Sequence, residues 1–233
     1  MGFNSHVSIH RASSTSSRSY SLEQIRDFLR RRLGRVTTEC AFGQYTSANI
    51  VMDKLLTCST ESTRIITKSV RFCQDGHAVD HDERIGSSCE IATVGPPAGY
   101  TVQRYIDDFS VALSSSCPEC GNTLFRQFSF ACHPPLLAVE LWEGLGSLDT
   151  SLRISVDGGY RRYSLRGVIY FAADHFTARI VTQAGMVWFH DGIFTGSSLV
   201  YESANILSIP TADSVTAIYT RENSDMPYGV VAR

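Results

Sequence analysis

The sequence predicts an α+β fold: helices first, then a mostly antiparallel sheet with an inserted finger. Three observations predict it. Helical apolar spacing is confined to the first 56 residues, short β-prone runs broken by Gly and Asp turns follow, and a Cys-x-x-Cys turn interrupts those runs.

Residues 1–20 hold repeated serines and no periodic apolar pattern, which reads as a disordered lead-in. A first helix is expected over 21–33, where Ser21 and Gln24 have capping-box spacing and Leu22, Ile25, Phe28, Leu29 and Leu33 recur at helical intervals. A second is expected over 47–56, with Ile50, Val51, Met52, Leu55 and Leu56 as a broad apolar stripe and Thr46 or Ser47 as its cap. Strands are expected at 64–72, 90–94, 124–131, 136–141, 152–156, 163–171, 175–182, 186–189 and 215–219. Turns at Asp157-Gly158-Gly159, at Gly185 and at Asp191-Gly192 join the later ones. Residues 222–233 read as a tail, and no internal repeat is visible.

Composition bounds the function. With 233 residues, 43% hydrophobic and 19% charged, the chain can build one domain with a substantial core, or two small ones. Its 21 basic and 23 acidic residues leave a formal net charge of -2, which gives no field to concentrate nucleic acid or anionic lipid. The longest apolar runs, 136–141 and 167–173, are strand-sized and short of a membrane span, so neither nucleic acid nor membrane is an expected partner. The polar N-terminus has no apolar segment of a secretory signal. Seven cysteines, an odd number with one tight pair, fit a reducing compartment and a metal site better than a disulfide framework, so an intracellular location, cytoplasm or nucleus, is expected.

The tight pair is Cys117-Pro118-Glu119-Cys120-Gly121, a turn that presents two thiolates to one tetrahedral ion while the following Gly relieves its strain. Two more ligands are needed. Cys73-Gln74-Asp75-Gly76-His77 lies on a similar turn after a predicted strand, so Cys73, His77, Cys117 and Cys120 form a candidate structural zinc site closing a two-knuckle finger, with Cys89 and His81 in reserve. The alternative is a pair that binds nothing. A redox role fits less well, because the βαβ context of such motifs is absent. Cys132 and Cys58 read as small buried residues, and Phe109, Phe125 and Phe128 as core.

Further on, His175 and Asp191 lie at the ends of neighbouring predicted strands, sixteen residues apart. Antiparallel pairing can bring such residues side by side, and a histidine general base needs a partner on its second ring nitrogen, commonly Asp or Asn. Asp191 is the first choice of partner and His190 the second. Each feature also has an ordinary structural reading, a histidine at a strand end and an Asp-Gly turn.

The order of these elements resembles the ubiquitin-specific proteases (USPs), the papain-like cysteine deubiquitinases. Phe42-Gly43-Gln44 with the helix at 47–56 is similar to the family's Gln-rich helix segment, with Thr46 and Asn49 where Asp and Glu are usual. Cys73, His77, Cys117 and Cys120 resemble its two finger knuckles, the first altered. The segment 135–141 resembles the strand that leads to an Arg-Phe pair in the family, here Trp142-Glu143. Tyr163-x-Leu165-x-Gly167-Val168-Ile169 is similar to the strand before the catalytic histidine, and the family's Gly-His-Tyr stands here as Asp174-His175-Phe176, followed by Thr177-Ala178. Trp188 and His190-Asp191 resemble the next strand with its Asp or Asn pair, and 216–221 the closing strand.

The resemblance implies a partial domain of papain-like palm and fingers over 21–221, with finger knuckles at about 70–122. It implies a thiol-dependent hydrolase of ubiquitin's C-terminal bonds, with His175 as base, Asp191 as orienter and ubiquitin or a ubiquitinated protein as partner. The nucleophile segment does not match. Cys40 is the upstream candidate, but Arg35 and Thr38 stand where the family's cysteine box has two Asn residues. Only thirty-three residues separate Cys40 from Cys73, too few for the helical subdomain that normally lies between nucleophile and finger. The expectation is therefore an incomplete or inactive relative: a fragment, or a module that binds ubiquitin without catalysis. A zinc-ribbon scaffold with no ubiquitin contact is the third reading.

Overall fold

The structure is a computed structural model that describes residues 22–38, 54, 65–88, 91, 98–141, 145, 147–196, 198–203, 205–208 and 214–222. Helix α1 (Leu22–Val36) starts where the capping-box spacing places it and runs three residues past the expected end at Leu33, which is buried. The lead-in at 1–20 and the tail beyond 222 lie outside the described residues, as does the helix expected at 47–56 apart from Lys54, which is helical.

Two antiparallel sheets make up the rest. The smaller contains β1 (Ile65–Cys73), β2 (Ala78–Ser88), β3 (Ser110–Ser116) and β4 (Thr123–Phe130), in the order β2-β1-β4-β3. Between β2 and β3 lies the short helix α2 (Val102–Asp107), whose N-cap Thr101 accepts the Arg104 N–H through its hydroxyl at 3.2 Å. The larger sheet contains β5 (Leu136–Glu140), β6 (Ser151–Val156), β7 (Gly159–Ala172), β8 (His175–Val181), β9 (Val187–Asp191), β10 (Val200–Ser203) and β11 (Ser214–Arg221). Its order is β10-β9-β8-β7-β11-β5, with β6 pairing against β7. Among the described residues the fold is thus mostly antiparallel sheet with few helices.

One core joins the parts. Val102, Tyr105 and Ile106 of α2 pack with Ile65 and Phe130 of the small sheet and with Leu137, Val139, Leu152, Ile154, Tyr163, Leu165, Ala217 and Tyr219 of the large one. Strand alternation explains the selection: β6 buries Leu152 and Ile154 and exposes Ser151, Arg153 and Ser155. Full burial of aliphatic side chains such as Leu137, Leu152 and Ile154 stabilises the fold by about 1.5–3 kcal/mol each. The two largest buried side chains have phenols that need partners. Tyr163 donates to the Pro134 carbonyl at 2.7 Å and Tyr219 to that of Asp149 at 3.0 Å. Phe109 belongs to this core, stacked on Phe128 with centroids 4.7 Å apart, and Phe125 packs on Phe72 at 5.7 Å.

Several boundaries differ from the sequence expectation. β7 starts at Gly159 rather than at 163, because Asp157 and Gly158 adopt φ of 46° and 80° and close a two-residue hairpin between Val156 and Gly159. Of the strand expected at 90–94, Ile91 forms an isolated parallel bridge to Val139, and residues 90 and 92–94 lie outside the described ones. Strands β2, β3 and β10 were not expected at all. All three are sheet edges. Their sequences, AVDHDERIGSS, SVALSSS and VYES, carry the charges and serines that edges tolerate and that hide the apolar alternation of a half-buried strand. No helix among the described residues is long and apolar enough to cross a membrane.

Candidate functional site

The β7–β8 hairpin turns on Ala173 and Asp174, both in left-handed backbone at φ of 49° and 60°, and β8 begins immediately with His175. Two consecutive left-handed residues are the geometry of a type I′ turn, which Asp accepts readily and Ala at a cost of about 1–2 kcal/mol. In the next pair Thr177 of β8 lies opposite Asp191 of β9. His175, two residues before Thr177, is on the same face and diagonal to Asp191. The result is a His175 Nε2 to Asp191 Oδ1 contact of 2.9 Å. The imidazole is 30% exposed and the carboxylate only 5%.

The segment after β9 explains why Asp191 is fixed. Its Oδ1 also accepts the backbone N–H of Ile193 at 2.8 Å and of Phe194 at 3.1 Å. Thr195 closes the turn, its hydroxyl accepting the Asp191 N–H at 3.0 Å and donating to the Asp191 carbonyl at 2.7 Å. Burial pushes the Asp191 carboxyl upward, but the Phe194 N–H, the His175 ring and the Ile193 N–H outweigh it and hold the carboxyl below its ordinary value. An ionised Asp191 can only accept, so the proton of a neutral His175 sits on Nε2 and Nδ1 carries a free lone pair. Nδ1 is therefore the ring atom at which the pair can accept a proton. Among the described residues no cysteine sulfur lies within hydrogen-bonding reach of the His175 ring.

A second cluster caps the far end of the small sheet. Cys73 ends β1, His77 follows on the turn to β2, and Cys117 and Cys120 lie on the turn between β3 and β4. Gly76 and Gly121, at φ of 81° and 77°, give these turns the left-handed step that other residues adopt under strain. Their N–H groups donate to the carbonyls of Cys73 and Cys117 at 3.0 and 2.8 Å. The Cys73 and Cys120 sulfurs are 3.5 Å apart, and His77 Nδ1 is 3.8 Å from Cys73 Sγ and 3.7 Å from Cys117 Sγ. A tetrahedral zinc with bonds of about 2.3 Å to sulfur and about 2.0–2.1 Å to nitrogen has ligand edges of about 3.5–3.8 Å, so the donor set fits that ion. Outside the cluster, His77 Nε2 faces Glu119 at 3.9 Å, and Asn122 donates to Asp75 at 2.6 Å, tying one turn to the other. Of the thiols, burial raises Cys117 but the backbone N–H groups of Cys120 and Glu119 bring it down to about 7. The Asn122 N–H lowers Cys120, yet burial and the Cys73 and Cys117 sulfurs push it up to about 12.

The structure thus brings together Cys73, His77, Cys117 and Cys120, and separately His175 and Asp191. His190, the second choice as partner, instead bonds the Ser198 carbonyl through Nδ1 at 3.2 Å. Cys40, Cys89 and Cys58 lie outside the described residues, His81 lies in β2, and Cys132 is half-buried. Thr195 and the Ile193 and Phe194 N–H groups were not foreseen. Asp-x-x-x-Thr is the spacing of a capped helical turn and was the available signal.

No protein-family model matches the chain, and no curated protein matches it in sequence. Solved structures do. A chain of the Ubp8-Sgf11-Sgf73-Sus1 SAGA DUB module aligns with TM-score 0.51 at 12% identity, over 86% of this chain and 48% of that one. The fold is USP-like. Two further structures of this module, one bound to monoubiquitin and one to ubiquitin aldehyde, align with TM-scores of 0.49 and 0.48 at 14% and 12% identity. They match over 69% and 86% of this chain and 41% and 49% of theirs; the chain spans about half the length of the solved chains it matches.

Proposed function

We propose that this chain carries the base half of a thiol-dependent ubiquitin hydrolase site, with His175 as general base and Asp191 as its orienter, and that it binds ubiquitin or a ubiquitinated protein. The observation that carries the reading is the 2.9 Å contact between His175 Nε2 and the buried, multiply bonded Asp191 carboxylate, at the strand ends where the USP resemblance puts its catalytic pair. In such a site Nδ1 takes the proton of a cysteine thiol, the thiolate attacks the carbonyl carbon at ubiquitin's C-terminus, and the imidazolium returns the proton to the leaving amine. Water then hydrolyses the thioester with the same histidine as base. Zinc, when bound by Cys73, His77, Cys117 and Cys120, supplies a closed structural cross-link and no open coordination position for chemistry.

The nucleophile is assigned to Cys40 or to a segment outside this chain, and the second reading is a non-catalytic ubiquitin-binding module. That reading draws on the distribution of thiols, since three of the four described cysteines are committed to the metal cluster. The test is incubation of the full chain with ubiquitin bearing a thiol-reactive C-terminus, read by intact mass, beside titration with plain ubiquitin. An adduct lost in Cys40→Ala and slowed in His175→Ala supports a complete hydrolase. Binding without an adduct supports the base half alone or the binding module. Neither adduct nor binding overturns both.

A further inference from the structure

The hairpin of β6 and β7 carries a charge arrangement that its fold does not require. Arg153 lies directly opposite Arg162, and Tyr160 opposite Ser155. These four side chains share the exposed face of the hairpin, whereas Leu152, Ile154 and Tyr163 of the other face are fully buried. Like charges directly opposite each other in an antiparallel pair are destabilising. Neither Arg153 nor Arg162 has a carboxylate within ion-pair distance among the described residues, although the chain as a whole is acidic by two charges. A double charge with no carboxylate partner among the described residues points to a use outside the folded chain.

Arg153 is also preorganised. Both backbone polar groups of Arg153 are held by the side-chain amide of Gln103, at 2.6 Å from the N–H and 3.1 Å from the carbonyl. Its guanidinium lies 4.2 Å from the centroid of the Tyr160 ring. A guanidinium held in this way loses little freedom on binding, and its fork geometry suits a carboxylate. Nucleic acid suits the face less well, because one side of Tyr160 is already covered by Arg153 and is closed to a stacking base. Two or three arginines also displace too few counterions for tight sequence-independent binding.

We propose that the exposed face of the β6–β7 hairpin, with Arg153 and Arg162 beside Tyr160, docks an acidic segment of a partner polypeptide whose carboxylates bridge the two guanidiniums. This goes beyond any role of the His175–Asp191 pair and does not depend on it. Arg161 gives an internal control, since it carries the same charge at the adjacent position but alternates to the other face, opposite Ile154. The experiment is fluorescence anisotropy of a labelled poly-glutamate peptide against the full chain and its Arg153→Gln, Arg162→Gln and Arg161→Gln variants, with a labelled oligo-dT as competitor class. Arg153→Gln and Arg162→Gln are each expected to weaken peptide binding about tenfold, the size of one charge-assisted contact, and Arg161→Gln less than about twofold. Thermal scans should show Arg162→Gln at least as stable as the parent chain, because the like-charge pair is relieved, so that loss of binding is not loss of fold. Equal losses in Arg161→Gln and Arg162→Gln, tighter binding of oligo-dT than of peptide, or no peptide binding would each overturn the proposal.

Discussion

Removing the metal from the Cys73, His77, Cys117 and Cys120 cluster should destabilise the small sheet more than any apolar truncation near it. The apolar group at that end is slight: Cys73, Cys117 and Leu124 with Leu113 packed against them, separate from the main core. Burial of Leu124 contributes about 1.5–3 kcal/mol. A metal present at a thousand times its dissociation constant contributes about 4 kcal/mol, because it binds the folded chain and not the unfolded one. For a chain of this size each kcal/mol moves the midpoint by about 2–4 °C, so excess chelator or Cys117→Ala should lower Tm by on the order of 8–16 °C. The assay is a thermal scan with and without chelator, paired with native mass spectrometry for metal content and X-ray absorption for three sulfurs at about 2.3 Å and one nitrogen at about 2.0–2.1 Å. The sign with pH follows from the thiols. In the metal-free chain Cys120, pushed up to about 12, holds its proton at neutral pH, and binding must displace it. Affinity should therefore rise with pH by about tenfold per unit for each proton displaced. Protein purified without metal, with a Tm indifferent to zinc, chelator and Cys117→Ala alike, would refute the reasoning.

Three further perturbations have defined outcomes. Ala173→Gly removes a left-handed alanine whose strain is about 1–2 kcal/mol and adds glycine's unfolded-state entropy, so a net gain of about 0.5–1 kcal/mol should appear in urea denaturation at unchanged m-value. Tyr163→Phe leaves the buried Pro134 carbonyl without its 2.7 Å donor and should lose about 1–3 kcal/mol by the same measurement. Asp191→Asn keeps an acceptor for the Ile193 and Phe194 N–H groups but removes the charge beside His175. Because the folded carboxyl is held below its ordinary value, its contribution is full above the unfolded value of about 3.9 and is lost as pH falls through the lower folded value. The Tm gap between parent and Asp191→Asn should stay constant above about pH 5 and close below about pH 4 in calorimetry across that range.

What could be read from the sequence was what local chemistry writes into it. β6 carries the alternation of a strand with one buried face, and β1, β4, β8 and β11 carry β-prone runs bounded by turn residues, so all five were found within a residue or two of their ends. The four residues of the candidate metal cluster were legible because Cys-x-x-Cys and Cys-x-x-x-His are turn spacings, each complete within five residues. The His175 to Asp191 contact was legible only as a possibility of pairing, since a diagonal neighbour depends on register, and register depends on the Ala173-Asp174 turn. Edge strands were hidden by their own polarity. Thr195 was hidden because its role is to close a turn around Asp191, a relation between one hydroxyl and backbone groups four residues away. The opposition of Arg153 and Arg162 needed the hairpin register, which Asp157-Gly158 sets, before two separated arginines could be recognised as a pair.

Asp191 also bears on whether its contact with His175 is structural. A turn that merely needed its Ile193 and Phe194 N–H groups satisfied would be served by asparagine, which offers the same acceptor without a buried charge to desolvate. Aspartate at a site 5% exposed is the more costly choice, offset only because the imidazole and two backbone N–H groups converge on one oxygen. What the charge adds over the amide is control of the imidazole tautomer: it fixes the proton on Nε2 and frees Nδ1. The turn also carries Ile193 and Phe194, 70% and 85% exposed, whose backbone N–H groups are bonded to the Asp191 carboxylate. The structural alternative predicts that Asp191→Asn leaves His175 unchanged. The functional one predicts that the His175 ring loses its tautomer preference, which the 15N shifts of the imidazole in the two proteins would separate at neutral pH.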